Sequence, residues 1–394
     1  MKWVSALSRD SHCHAAVSAA SAETLNALDG EAADLVFAFV SPHFRSNYQD
    51  ISGWVKEFYP HAEFCGCTAI GVIGGGVECE QGPAISLSAA SLPGVDLNVF
   101  YTDTTDHPDE DASPSAWTNW LGLREEKAYQ FVLFADPFSC PAETVVAGLD
   151  YAFPGTPKVG ALASGAGKAR ENALFVNDQM YRDGMAGVAL SGNVVVDTVV
   201  AQGCRPIGEP LTITCCNGNM ILELNGMTPV KYLEQLQMRC DERERDLMTS
   251  SLFVGIETSG FSGGDENESF LVRNLLGIDY ESGAMAIGVG TVEGQVIQFH
   301  LRDRESSSAD LELQLIAHGE RFTGRHASGA LLFSCLGRGE YLYGETGHDS
   351  RLCREILGDI PLGGFFGNGE IGPVGGTTHV HGYTSALALF RPAE

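Results

Sequence analysis

Positive charge is what this 394-residue chain lacks most: 24 lysines and arginines stand against 51 aspartates and glutamates, a formal net charge of −27. A nucleic-acid backbone or an anionic membrane surface would repel such a chain, so neither is an expected partner. Long apolar runs are also missing, and none reaches the ~18–20 residues that a membrane span requires. The opening MKWVSALSRDSHCHAA holds no apolar core of the ~7–15 residues of a secretory leader. Zinc-type spacing is absent as well. Of the eleven cysteines, only Cys65/Cys67 and Cys215-Cys216 stand close, neither as CxxC, so no structural metal is expected. An odd number of cysteines in an acidic chain without a leader reads as reduced thiols of a cytoplasmic protein.

Nucleotide and hydrolase signatures fail in detail. GVIGGG has no clean strand–glycine–helix after it. GAGKAR is not a phosphate loop, because Ala169 stands where a Ser or Thr would hold magnesium. Ser164 in GALASGAG misses the G-x-S-x-G pattern, with Leu162 in place of the first glycine. No cofactor is therefore expected.

What the chain does contain is a pattern that returns. Asp34–Ser41 is a continuous apolar run, as in a strand covered on both faces, and Pro42 stops it. Tyr48–Phe58 has apolar residues at helical spacing, and Pro60 ends it. A short strand then enters the glycines of EFCGCTAIGVIGGG. Strands 84–92 and 95–101 follow, joined through Pro93-Gly94 as an expected hairpin. The same order recurs from Tyr129–Ala135 through the helix Ala142–Phe153 and the glycines after Lys158. It ends in a second expected hairpin at Ser191-Gly192-Asn193. A third copy starts at Ala330–Cys335 and runs through the helix Asp349–Leu357 and LGGFF to the final strand Ser385–Phe390. Spacing places Cys67 and Ser164 at matching positions of copies one and two. Three copies in non-contiguous order imply duplication inside a globular protein. The predicted class is α/β (α+β): mixed β-sheets with outer helices, built from repeated strand–helix–strand–hairpin units in two domains, 1–210 and 211–394.

These stretches resemble the FIST family. GCTAIGVIGG is similar to the glycine-rich signature of its N-terminal domain. LLFSCLGRG and GFFGNGEIGPVGGTTHVHGYTSALALF resemble its C-terminal domain, and MILELNGMTPVKYLEQL its linking portion. The resemblance implies a sensory protein that binds small ligands, amino acids among them, and passes that state to a signalling partner. Without an F-box, kinase, GGDEF or methyl-accepting segment, the chain is expected to stand alone.

Candidate site residues concentrate in the third copy. Cys335 ends a strand beside Arg338, and a guanidinium next to a thiol would lower its pKa and make it nucleophilic or redox-sensitive; its structural alternative is a small buried thiol at a strand end. Arg338, flanked by Gly337 and Gly339, suits a carboxylate or a phosphate; its structural alternative is an ion pair, for instance with Glu370 or Glu340. Asn368, Gly369 and Glu370 form a loop able to meet an amino group, or simply a turn. Arg338 and Glu370 together would clamp an amino acid. His379 and His381 share a strand face but lack a third metal ligand. Gly66, Cys67 and Ser164 would line the cleft if the copies face one another. The leading expectation is a protein that binds a small polar metabolite in a glycine-lined cleft. Its alternatives are an enzyme with Cys335 as nucleophile and His381 as base, or a peptide-binding module.

Overall fold

The computed structural model describes residues 1–394 except 110, 125–126, 259–269, 322–325 and 394. The first copy comprises β1 (Lys2–Ser8), α1 (Cys13–Leu28), β2 (Leu35–Val40), α2 (Tyr48–Phe58), β3 (Glu63–Thr68), the short pair β4 (Val72–Gly74) and β5 (Val77–Cys79), and β6 (Ile85–Ser91). The second comprises β7 (Val95–Thr102), α3 (Pro114–Trp120), β8 (Gln130–Ala135), α4 (Ala142–Ala152), β9 (Lys158–Leu162), β10 (Leu174–Val176), β11 (Gln179–Tyr181) and β12 (Met185–Gly192). The third opens with β13 (Val195–Ala201) and is then interrupted by β14 (Arg205–Asn217), β15 (Met220–Leu224), α5 (Pro229–Arg239), α6 (Glu242–Ser250), β16 (Leu252–Glu257), β17 (Phe270–Asp279), β18 (Ala284–Ile287) and β19 (Val296–Leu301). After α7 (Arg304–Arg321) it resumes with β20 (Gly329–Cys335), α8 (Gly339–Tyr343), α9 (His348–Leu357), β21 (Leu362–Gly367), β22 (Glu370–Val374), β23 (Thr377–His381) and β24 (Ser385–Arg391).

Three six-stranded sheets result, in the orders β1-β6-β2-β3-β10-β11, β7-β12-β8-β9-β22-β23 and β13-β24-β20-β21-β4-β5. Each has the same plan. Two central strands run parallel, β2 with β3, β8 with β9 and β20 with β21. Each sheet is completed by a hairpin from another copy: copy one lends β4–β5 to the third sheet, copy two lends β10–β11 to the first, and copy three lends β22–β23 to the second. The exchange closes in a ring, so no copy completes its sheet alone. The expected hairpins at Pro93-Gly94 and Ser191-Gly192-Asn193 are instead crossings, since β6 and β7, like β12 and β13, lie in different sheets. Gly94 and Gly192 do turn the chain at positive φ (76° and 90°), but into the next sheet, and Asn193 N–H donates to Gly94 O.

Alternation along the strands divides the core as a pleated sheet requires. Phe37 and Phe39 of β2 point into a core shared by all three sheets, while Val36, Ala38 and Val40 pack under α1 and α2. At the centre Phe134 lies 5.4 Å from Phe39 and 6.0 Å from Phe333, ring centroid to centroid. These three phenylalanines occupy one register position, each followed across its parallel pair by Cys67, Ala161 or Phe365.

The position before that one fixes three glycines. Gly66, Gly160 and Gly364 pair with Ala38, Leu133 and Leu332, and a Cβ on any of them would overlap the carbonyl oxygen of its partner. Gly364 also has φ +134°. Gly364→Ala is therefore expected to destabilise by about 2–6 kcal/mol, from backbone strain and overlap of roughly 1–3 kcal/mol each. Urea unfolding checks it, and a change within experimental error would contradict this packing. The register also corrects the sequence alignment. Cys67 matches Ala161 and Phe365, whereas Ser164 matches Ile70 and Asn368, each four residues past its glycine.

The interrupting segment forms a closed barrel, β14-β15-β18-β17-β16-β19, around its own core of Ile213, Ile221, Met285, Ile297 and Phe299. Its first turn is a hairpin at Asn217-Gly218, with Gly218 at φ 62°. The chain's two compact units are Met1–Ala201 with Glu312–Glu394, and Gln202–Leu311. The third copy thus rejoins the first two in space. Among the described residues no helix is long and apolar enough to cross a membrane.

Candidate functional site

The ends of the parallel strands are where the copies diverge. Ser41, Asp136 and Cys335 follow or end β2, β8 and β20, and each donates its N–H to a matching carbonyl, Ala84, Gly184 or Thr384. On the exchanged hairpins, Val72, Leu174 and Glu370 hold one register position, opposite Phe365, Cys67 and Ala161. An acid thus replaces an aliphatic residue, in the copy that also carries the thiol. Sites beyond the carboxyl ends of parallel strands are common in α/β sheets, because the strand-to-helix loops gather there.

Glu370 is fully buried. Its Oε2 accepts from Thr384 N–H at 3.1 Å, while Oε1 has no donor in hydrogen-bonding geometry. Burial pushes the acid up to about 8, against the opposing pull of Thr384 N–H, the Arg338 charge, the neighbouring Cys335 thiol and Gly369 N–H. Cys335 is 8% exposed. Its sulfur accepts from Tyr383 N–H at 3.1 Å and from Gly337 N–H at 3.5 Å. Tyr383 makes that donation from the left-handed region, φ 67°, where a non-glycine residue needs outside support. Part of the support is Arg338 NH1, which donates to Tyr383 O at 3.4 Å.

Arg338 is fully buried and is held by a residue that sequence inspection passed over. Its Nε donates to Asp349 Oδ2 at 2.8 Å and its NH2 to Tyr343 OH at 2.6 Å. Asp349 also accepts from Ser334 Oγ (3.0 Å) and Ser385 Oγ (2.7 Å), and its Oδ1 lies 3.0 Å from His348 Nδ1. Burial alone would raise Asp349; the Arg338 charge and the His348, Arg338 and Ser385 hydrogen bonds override it and hold the carboxyl well below the usual range. The ion pair is therefore with Asp349, not with Glu370 or Glu340, and the guanidinium faces inward.

Copy one closes this site from outside. Glu78 and Glu80 flank Cys79 at the end of its hairpin. Glu78 accepts from Gly347 N–H (3.1 Å) and Ser350 N–H (2.7 Å), and so satisfies the first turn of α9, whose N-cap is a glycine. Burial, with the Asp349 charge behind it, pushes Glu78 up to about 7. Glu80 accepts from Glu340 N–H at the start of α8.

The remaining expected residues are placed as follows. Gly339 has φ +62° and lies against Glu80. Asn368 is exposed, with its N–H on Leu162 O, and Gly369 O accepts from Leu162 N–H. His381 pairs with Glu370 across β22–β23, and its Nε2 lies 3.0 Å from Gly372 O. Its ring stands edge to face with His379. Ser164 bridges copies, accepting from Ile70 N–H and donating to Phe366 O. Gly66 and Cys67 lie inside β3, where burial holds the Cys67 thiol well above its ordinary range. The structure thus gathers Cys335, Arg338, Gly339, Asn368, Gly369, Glu370 and His381 in the third copy. Gly66 and Cys67 stay in the shared core, Ser164 at a seam. Asp349, Glu78 and Tyr383 left no sequence signal beyond an acid at a helix start, acids flanking a cysteine, and a tyrosine after a glycine.

A three-copy α/β unit carrying a buried acid and a thiol at one strand end is the class of protein defined here. The chain belongs to the FIST domain family: the FIST N domain profile matches residues 34–227 and the FIST C domain profile residues 230–373. FIST domains are associated with sensory binding of small ligands in signal transduction. An uncharacterized protein of Mycobacterium tuberculosis is 35% identical over 341 residues, 86% of this chain and 87% of its own. An uncharacterized protein of Mycobacterium bovis is 33% identical over 376 residues, 95% of each chain. Among solved structures, the chain is similar to the cyanuric acid hydrolase of A. caulinodans, with TM-score 0.36, 8% identity and 99% of each chain covered.

Proposed function

We propose that the protein is a cytoplasmic sensor that binds a small polar metabolite, an amino acid or close relative, at the Cys335–Glu370 end of the third copy. The observation that carries this reading is Glu370: a fully buried acid, one oxygen without a donor, where the other copies place Val72 and Leu174. Leaving such an oxygen unpaired costs free energy that a ligand N–H or ammonium recovers. Exposed Asn368, two residues before Glu370, would offer its amide to the ligand's carboxylate. Arg338 was the residue expected to take that carboxylate; engaged by Asp349, it acts instead through Tyr383 and through its field on Glu370.

An ammonium beside Glu370 favours the carboxylate, so binding near pH 7 should release a proton. A thermal-shift panel of amino acids and related amines tests the reading, since a ligand at ~100 times its Kd adds about 2.7 kcal/mol. Calorimetry of the hit in buffers of different ionisation enthalpy should show that proton, and Glu370→Gln should abolish both signals. A panel without a hit, or a hit indifferent to Glu370→Gln and Asn368→Ala, would sink the proposal.

A further inference from the structure

A second property of the same strand end does not depend on metabolite binding. Among the eleven thiols, Cys335 has a distinctive setting. Cys65, Cys67 and Cys353 are fully buried, and burial holds each of these thiols well above its ordinary range. The Cys335 sulfur instead accepts two backbone N–H groups, from Tyr383 and Gly337, and has the Glu370 carboxyl group as its side-chain neighbour. Donors aimed at sulfur stabilise the charge that a thiolate carries. One of them is fixed by a residue in the left-handed region, Tyr383, pinned through its carbonyl by Arg338. The opening is narrow, for Cys335 is 8% exposed and Glu370 not at all. So little exposed surface favours a reactant of only a few heavy atoms. Glu370 Oε1, buried and without a donor, keeps proton-accepting capacity in the carboxyl group that neighbours the thiol.

We infer that Cys335 is a peroxide-reactive thiol, with Glu370 as its proton relay, and that small hydroperoxides are its oxidants. The step balances without a bound cofactor. Ionised Glu370 takes the Cys335 proton. The thiolate attacks the terminal oxygen of the hydroperoxide, an S–O bond forms and the O–O bond breaks. The departing oxygen takes the proton back from Glu370 and leaves as water or an alcohol. Sulfur ends as a sulfenic acid, oxidised by two electrons, and the peroxide is reduced by two. Glu370 sits near 8, so both of its protonation states are populated around neutral pH, as a relay requires.

The test uses the full chain, reduced and then exposed to limiting hydrogen peroxide with dimedone present, and maps adducts by mass spectrometry. Cys215 and Cys216, which are more open to solvent, serve as internal references. Cys335 should be labelled at least about tenfold faster than either, and Glu370→Gln should slow it by about 10²-fold. Labelling of Cys335 no faster than Cys215, or an unchanged rate in Glu370→Gln, would overturn the inference. Should that variant not fold, the pH profile of the wild-type rate decides. A bell supports the relay, and a monotonic rise overturns it. The metabolite reading fails separately, by an empty thermal-shift panel, whatever peroxide does. If both hold, the metabolite should protect Cys335 from labelling.

Discussion

Asp349→Ala is expected to cost about 3–5 kcal/mol, the range for breaking a buried ion pair by removing one partner. The number follows from what is left behind. Arg338 has no exposure to water, so its charge would remain in the interior without its counter-ion. Ser334 Oγ and Ser385 Oγ, on adjacent strands β20 and β24, would each lose their acceptor. Against a typical total of roughly 5–15 kcal/mol for a folded domain, that loss is a large share. The control is to remove both charges together. Arg338→Met with Asp349→Leu should recover much of the stability, because a buried pair is often worth little over apolar residues of similar size. It should not recover the site, since Tyr383 O would lose its donor and the N–H on Cys335 would lose its support. Urea unfolding of the single and double variants decides the matter. An Asp349→Ala protein within 1 kcal/mol of wild type would show that Arg338 finds water, contrary to the packing described.

The same residue shows why sequence reading reached part of the site and not the rest. Cys335, Arg338 and Glu370 stood out because a thiol and two charges stand among glycines just past apolar strands, which is visible in one dimension. Asp349 did not, because an acid in the first turn of a helix is the ordinary choice for the helix dipole. Its burial depends on Ser385, 36 residues on, and on Arg338, 11 residues back. Glu78 is further out of reach, since its bond to Ser350 N–H spans 272 residues. The fold divides similarly. Strand, proline, helix and glycine recur within each copy and reveal three units. Exchange of hairpins between copies leaves no local mark, because β4–β5 has the same turn chemistry whichever sheet it joins. Pro93-Gly94 read as a hairpin for that reason. The turn is real, and only the partner of the next strand decides whether the chain returns or crosses.

Glu370→Gln is expected to make the protein more stable at alkaline pH while removing its proposed function. Burial raises this acid from 4.5 to about 8, so the folded state binds the proton more tightly than the unfolded chain does. A group shifted in that direction contributes stability that is fully present below its unfolded value near 4.5 and is lost as pH rises through about 8. Glu78, raised to about 7, acts with the same sign over a lower window. Asp349 acts oppositely: held low, it contributes stability above its unfolded value near 3.8, lost only in strong acid. Wild type should therefore be most stable in mildly acidic solution and weaken toward pH 9. Each tenfold change in proton affinity is worth about 1.4 kcal/mol, so the Glu370 contribution to that decline is of the order of a few kcal/mol. Glutamine keeps the shape of the protonated acid and cannot ionise, so the variant should lose less stability between pH 5 and pH 9, with the residual slope set largely by Glu78. Urea unfolding across that range measures the slopes. Parallel curves for variant and wild type would mean that Glu370 ionises without cost, hence that water reaches it. A flattened curve, joined to lost ligand binding and slowed Cys335 oxidation, would show that one buried acid exchanges alkaline stability for chemistry at the third copy.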